Sequence, residues 1–208
     1  MMSVSIILIA ISVITTIYAW NHQDKYHKWM LNPYAVIHRQ QYYRLVTSGF
    51  IHNGWIHLLF NMITLYFFGD VIEQIFRYYY AGSGVFYFLI LYFLGMLVAN
   101  IPSLIKYRNN PNYNSLGASG AVSAVVFASI LFNPTAKICV FLPVFCLPGF
   151  IFGILFLIYS YYQGKRMADN INHDAHLYGA VFGVVFSIVI EPRVIVSFFD
   201  QILNYKIF

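Results

Sequence analysis

A chain of 208 residues that is 60% hydrophobic and only 9% charged falls outside the soluble globular class, where a domain carries roughly 25% charged side chains. So short a chain keeps much surface for its volume, so a large core cannot absorb that deficit. Its mean hydropathy of +0.68 and 20% aromatic content point to a polytopic membrane protein with aromatic girdles. The net charge of +5 is spread through connecting segments with no dense basic run. That disfavours nucleic acid as a partner, and anionic lipid headgroups account for it.

Ser3 to Trp20 is an uncharged apolar run that nearly crosses a hydrocarbon core of about 30 Å. It lacks the basic start and small-x-small cleavage site of a signal peptide and reads as a retained first span ending at the interfacial Trp20. Residues 21–53 mix Lys25, Lys28, Arg39 and Arg44 with Tyr26, Trp29, Tyr34, Tyr42 and Tyr43. This stretch is too aromatic for disorder and is expected to lie folded in the headgroup layer. A second helix starts at Gly54 and continues past Gly69 towards Phe76, with Glu73 near its far end as a scaffold residue. A third runs from Gly82 to about Leu104.

The fourth, Gly117 to Phe132, is about 24 Å long and opens on a polar, glycine-rich turn, so it starts below the surface and leaves room for water. Pro143 and Pro148 interrupt the next apolar run, giving an extended or interfacial connection over Ile138 to Pro148 and a fifth helix from Gly149 to Tyr162. Cys139 and Cys146 lie in that connection, form no disulfide framework or C-x-x-C motif, and are read as packing residues. The sixth helix is Asn172 to Ile190, with Asp174 a scaffold or interface residue, and the tail from Pro192 to Phe208 is amphipathic and interfacial. The chain thus divides at 191/192 into a six-helix membrane domain and a tail. No internal repeat supports an inverted-repeat transporter.

Polar groups at hydrocarbon depth are costly unless used. Ser119, in Gly117-Ala118-Ser119-Gly120, is a candidate nucleophile, and His176, at the head of the sixth helix, is its candidate general base. Gly179 and Gly183 lie at i+3 and i+7 from His176 and form a G-x-x-x-G groove; Gly120, Ala124 and Ala128 form a matching stripe on the fourth helix. If the stripes meet, Ser119 and His176 come to one level. The backbone N–H of Ser119 is a candidate oxyanion donor. His57 and Asn61, i,i+4 on the second helix, are the side-chain candidates.

These motifs together resemble the rhomboid family of intramembrane serine proteases. Gly117-Ala118-Ser119-Gly120 is similar to its G-x-S-G motif, Ala175-His176 with Gly179 to its A-H-x-x-G motif, and His52, His57 and Asn61 to H-x-x-x-x-H-x-x-x-N. Tyr43-Arg44 resembles a Trp-Arg pair of the first loop, and Gly69 and Glu73 also match. The resemblance covers about Tyr43 to Ile190. It implies an all-α membrane protein, a six-transmembrane-helix bundle with a long interfacial first loop. It further implies a Ser119–His176 dyad without a third acid, an oxyanion site including His57 and Asn61, no cofactor, and transmembrane-helix substrates. His52 is expected to tie the first loop down. Some relatives pack an aromatic, four residues after the nucleophile, on the histidine ring; Ser123 stands here instead.

The first, third and fifth loops carry eight of the twelve Lys and Arg residues, so positive-inside counting puts them in the cytoplasm. The resemblance implies the opposite, with the active site on the extracytoplasmic side of the cell membrane. Two other functional classes stay open: a silent relative that binds membrane clients, and a metal or ion transporter built on His52, His57, His173 and His176. No carboxylate or cysteine cluster and no H-E-x-x-H motif completes a metal site.

Overall fold

A computed structural model describes residues 3–140, 145–166 and 171–206. Pro143 and the last two residues of the tail lie outside this range. The helices are α1 (Val4–Trp20), α2 (Gln23–Trp29), α3 (Pro33–His38), α4 (Arg44–Thr47), α5 (Trp55–Tyr80), α6 (Gly84–Lys106) and α7 (Ser119–Phe132). A hairpin of β1 (Lys137–Val140) and β2 (Phe145–Pro148) follows, then α8 (Gly149–Arg166), α9 (His173–Ile190) and α10 (Val194–Leu203).

The hairpin departs from the all-α expectation. Its antiparallel register sets Cys139 opposite Cys146, and the two form a disulfide rather than serving as packing residues. Side chains of directly opposed strand residues are near neighbours, a relation that apolar composition alone does not reveal.

The polarity of the bundle is inverted relative to a soluble fold. On α1 the buried face is Ser5, Leu8, Ser12, Thr16 and Ala19, at helical spacing, while Ile6, Ile7, Ile11, Ile14 and Ile17 face outwards. Trp55, Ile56, Leu59, Phe60 and Ile63 are exposed on α5, and Val181, Val185 and Val189 on α9. Continuous exposed apolar stripes of this kind suit hydrocarbon as solvent. The helical stretch Trp55–Lys106, broken into α5 and α6 by a 3-10 turn at Ala81–Ser83, is long and apolar enough to cross a bilayer, and so is α9; α1, α7 and α10 are shorter apolar helices.

Glu73, only 2% exposed, fastens α1 to α5. Its carboxylate accepts from Ser3 Oγ (2.6 Å), Val4 N (3.0 Å), Ser5 N (2.6 Å) and Ser5 Oγ (2.5 Å), satisfying open donors in the first turn of α1. Gly69 leaves room for this, since a Cβ there would overlap Ser5.

At the centre stands α7, buried at every residue from Gly120 to Phe132 and surrounded by α5, α6, α8, α9 and α10. A helix enclosed on all sides can be apolar all round. Its 14 residues span only about 21 Å, short of a hydrocarbon core of about 30 Å. It begins two residues later than the sequence pattern suggests, because Gly117 has φ +117°, a backbone state outside the helical region.

The segment 21–54 is folded, as its aromatic content leads one to expect, into α2, α3, α4 and a 3-10 turn at Ser48–Phe50. Buried Arg44 holds it together by donating to Gln41 Oε1 (2.7 Å) and to the carbonyls of His27 (2.9 Å) and Met30 (2.8 Å). Leu31 and Ser115 exchange backbone bonds of 2.9 and 3.0 Å, and Asn32 Nδ2 donates to the carbonyls of Pro111 (2.9 Å) and Tyr113 (3.1 Å). The segment is thereby laced to the chain entering α7. On the other side α10 buries Val194 and donates Gln201 Nε2 to the Phe132 carbonyl at 3.1 Å.

Candidate active site

Ser119 is the first residue of α7, so its own N–H has no carbonyl four residues back within the helix to bond. Its side chain is half-buried. Gly117, two residues earlier, is required twice over: its φ of +117° disfavours any L side chain, and a Cβ there would lie 2.7 Å from His57 Nε2. The His57 ring therefore sits directly against the turn that carries Ser119. Gly117 N donates to the Ser48 carbonyl at 2.8 Å, pinning that turn to the first-loop segment.

The small-residue stripes of α7 and α9 meet. A Cβ on Gly179 would fall on the Gly120 carbonyl, and one on Gly183 on the Ala124 carbonyl. Gly120 in turn faces Ala99 of α6 and the carbonyl of Ala175, the residue before His176. The first turns of α9, with His176, thus press on the first turn of α7, with Ser119. Asn172 fixes where α9 begins: its Oδ1 accepts from Ala175 N (3.1 Å) and its Nδ2 donates to Ser103 Oγ of α6 (2.9 Å). Behind Ser119 is a cavity of about 20 Å³ whose polar lining includes Ser48, Asn100, Ser115 and Asn172, enough for one water molecule.

The His176 ring is half-buried and stacks on Phe156 of α8, with centroids 6.0 Å apart and planes inclined by 25°. His173 meets it edge-on at 5.7 Å. Ser123, where an aromatic would cover the ring in some relatives, is buried in α7.

His57 Nδ1 lies 2.9 Å from Asn53 Oδ1. With the amide so assigned, Nδ1 carries the proton and Nε2 presents a lone pair towards Gly117; turning the amide by 180° reverses both roles. Only the reversed state makes the neutral ring an oxyanion donor through Nε2. Asn61 is buried one turn on, and its Nδ2 donates to the His57 carbonyl at 2.9 Å, leaving a second N–H for another acceptor.

His52 is fully buried beneath this site. Its Nε2 accepts from Ala118 N at 3.4 Å, so Nδ1 bears the proton and donates to Thr16 Oγ1 at 3.1 Å, whose hydroxyl passes on to the Phe50 carbonyl at 3.2 Å. Trp20 Nε1 donates to the His52 carbonyl at 2.8 Å. Burial, and secondarily the neighbouring His57, push the His52 imidazole down to about 3, so it stays neutral. His52 and His57 pair edge-to-face at 5.0 Å, well separated in the chain from the His173–His176 pair. Among the described residues no three His, Cys, Asp or Glu side chains converge as a metal set.

The family model of the rhomboid domain matches residues 39–193. The chain belongs to the rhomboid family. It is 31% identical to RHOMBOID-like protein 12, mitochondrial, of Arabidopsis thaliana over 151 residues, 68% of this chain and 44% of that protein. Rhomboid-like protein 11, chloroplastic, of the same plant is 31% identical over 155 residues, covering 69% and 51%. Rhomboid-related protein 1 of Caenorhabditis elegans is 27% identical over 174 residues, covering 80% and 45%. This rhomboid chain is accordingly a membrane protein, and it spans about half the length of the curated relatives it matches.

Asn172, Asn53 and Phe156 are site residues that no sequence motif singles out. Asn172 carries a usable signal, a helix N-cap residue just before an apolar run. Phe156 carries none, since it meets His176 only through the placement of α8 against α9.

Proposed function

We propose that this chain is an intramembrane serine endopeptidase that hydrolyses peptide bonds in or near transmembrane segments of membrane-protein substrates. The observation that carries the proposal is the glycine seam bringing the first turn of α9, with His176, against the first turn of α7, with Ser119. Small residues at a helix crossing are the usual means of such close approach, and here they serve both reactive residues at once. Six spans, α1, α5, α6, α7, α8 and α9, are part of this reading. So is a site opening to the extracytoplasmic side of the cell membrane.

Ser119 Oγ attacks the scissile carbonyl carbon while His176 accepts the hydroxyl proton, and the carbonyl π electrons move onto oxygen. That oxyanion is stabilised by the Ser119 backbone N–H, the second N–H of Asn61, and His57 in its Nε2-protonated form. Collapse expels the amine, which takes the proton from His176, and leaves an acyl ester on Ser119. A water deprotonated by His176 then hydrolyses the ester and restores the serine.

Ser119→Ala and His176→Ala should each abolish cleavage of a single-span substrate in liposomes without unfolding the protein. Undiminished cleavage by Ser119→Ala would sink the proposal. A fluorophosphonate probe that labels the wild type and not Ser119→Ala separates the protease from a silent client-binding relative.

A further inference from the structure

The geometry points to Phe156 as the residue that positions the general base: it holds the His176 imidazole from the neighbouring helix α8. The inference rests on the reading of Ser119 and His176 as a reactive dyad. Ser119, Ser123 and Phe127 follow one another at four-residue intervals and share a face of α7. The first is the nucleophile and the third an aromatic anchor, while the second is too small to reach across and cover an imidazole.

Phe156 supplies the missing ring. It packs on Phe127 at 5.6 Å between centroids, inclined by 50°, and on Phe152 one turn earlier at 5.9 Å and 27°. Buried Gly153 packs beside both Phe127 and Ile130 of α7, where a Cβ would stand in ordinary contact at 3.5 Å from Phe127 Cε1 and from Ile130 Cδ1. From that footing Phe156 lies over the face of His176 at 6.0 Å and 25°, within the range of an offset stack. His173 adds only an edge, its plane 78° from that of His176. A ring with one face covered and one edge flanked cannot swing about χ2 without losing the stack. A phenyl face at this distance also favours the imidazolium that forms as Ser119 is deprotonated.

The test uses the full chain in liposomes with a single-span substrate, and measures kcat, KM and thermal midpoint. Phe156→Leu should lower kcat roughly tenfold, as expected for one lost aromatic stack on a reacting group, with KM unchanged and the thermal midpoint lowered by only a few degrees through the lost packing on Phe127 and Phe152. Phe156→Tyr, which keeps the ring, should stay within about twofold of wild type. If Phe156→Leu does not fold, Phe156→Met takes its place as a flexible aliphatic of similar size, with the same expectation. In parallel, the His176 Cε1–H proton resonance should move in Phe156→Leu as the ring current of the phenyl is removed. Full kcat in the aliphatic variant, an equal loss in Phe156→Tyr, or an unmoved resonance overturns the positioning role and leaves the protease reading standing. Cleavage that survives Ser119→Ala overturns both.

Discussion

His52 makes the acid sensitivity of this protein predictable. The unfolded chain holds an ordinary imidazole near 6.5, while the buried ring titrates at about 3. Its neutral form is the one that accepts from Ala118 N–H. Lowering the pH protonates the unfolded state first, so the stability contributed is fully present above about 6.5 and is lost as the pH falls towards 3. The loss comes to about 2 kcal/mol at pH 5 and about 3 kcal/mol at pH 4, at 1.36 kcal/mol per unit of difference. The assay is equilibrium unfolding in mild detergent, followed by tryptophan fluorescence between pH 7 and pH 4, for wild type and His52→Gln. The variant should be less stable at pH 7 by about 1–2 kcal/mol, since glutamine reproduces the two bonds imperfectly. It should be flatter than wild type below pH 6.5, and taking the difference cancels the other histidines. Parallel acid loss in both proteins would refute the buried neutral ring as its source.

Two further substitutions probe the scaffold. Glu73→Ala strands two N–H and two hydroxyl donors at the head of α1 and should cost about 3 kcal/mol in detergent unfolding, with faster amide exchange at Val4 and Ser5; an unchanged midpoint would remove Glu73 from the α1 anchor. Gly117→Ala forces a side chain into a φ of +117° and onto the His57 ring, and should cost about 2 kcal/mol and at least tenfold in kcat. Gly54→Ala is the matched control: the backbone there is extended, an added Cβ would meet nothing within 4 Å, and stability should shift by less than about 0.5 kcal/mol. Equal effects of the two would count against the conformational argument.

Much of the bundle is legible in the sequence because membrane helices announce themselves by composition and small-residue seams by period. Gly120 and Ala124 against Gly179 and Gly183 is a four-residue spacing on both partners, so the seam is legible, although Ala124 and Ala128 would fit the same spacing and only the structure gives the register. Contacts between segments without a shared period are not legible. Phe156 on His176 depends on where α8 is seated against α9, which no pattern records. Cys139 and Cys146 read as apolar filler because their pairing depends on a hairpin register, and two prolines nearby hide the strands. The late start of α7 is hidden for a related reason: glycine in a G-x-S-G run is compatible with a helix, and only the folded backbone, with Gly117 at φ +117° against the His57 ring, reveals the turn.

The enclosure of α7 has a consequence for how the surrounding lipid can act on Ser119. From Gly120 onwards every residue of that helix is buried, so it offers almost no surface to acyl chains. Changes in bilayer thickness or lateral pressure therefore reach Ser119 second-hand, by tilting the five helices around α7 or by tugging on the Leu31–Ser115 and Ser48–Gly117 backbone bonds above it. Ser119 is mounted like an instrument on an inner frame, and the outer helices with the headgroup segment act as its suspension.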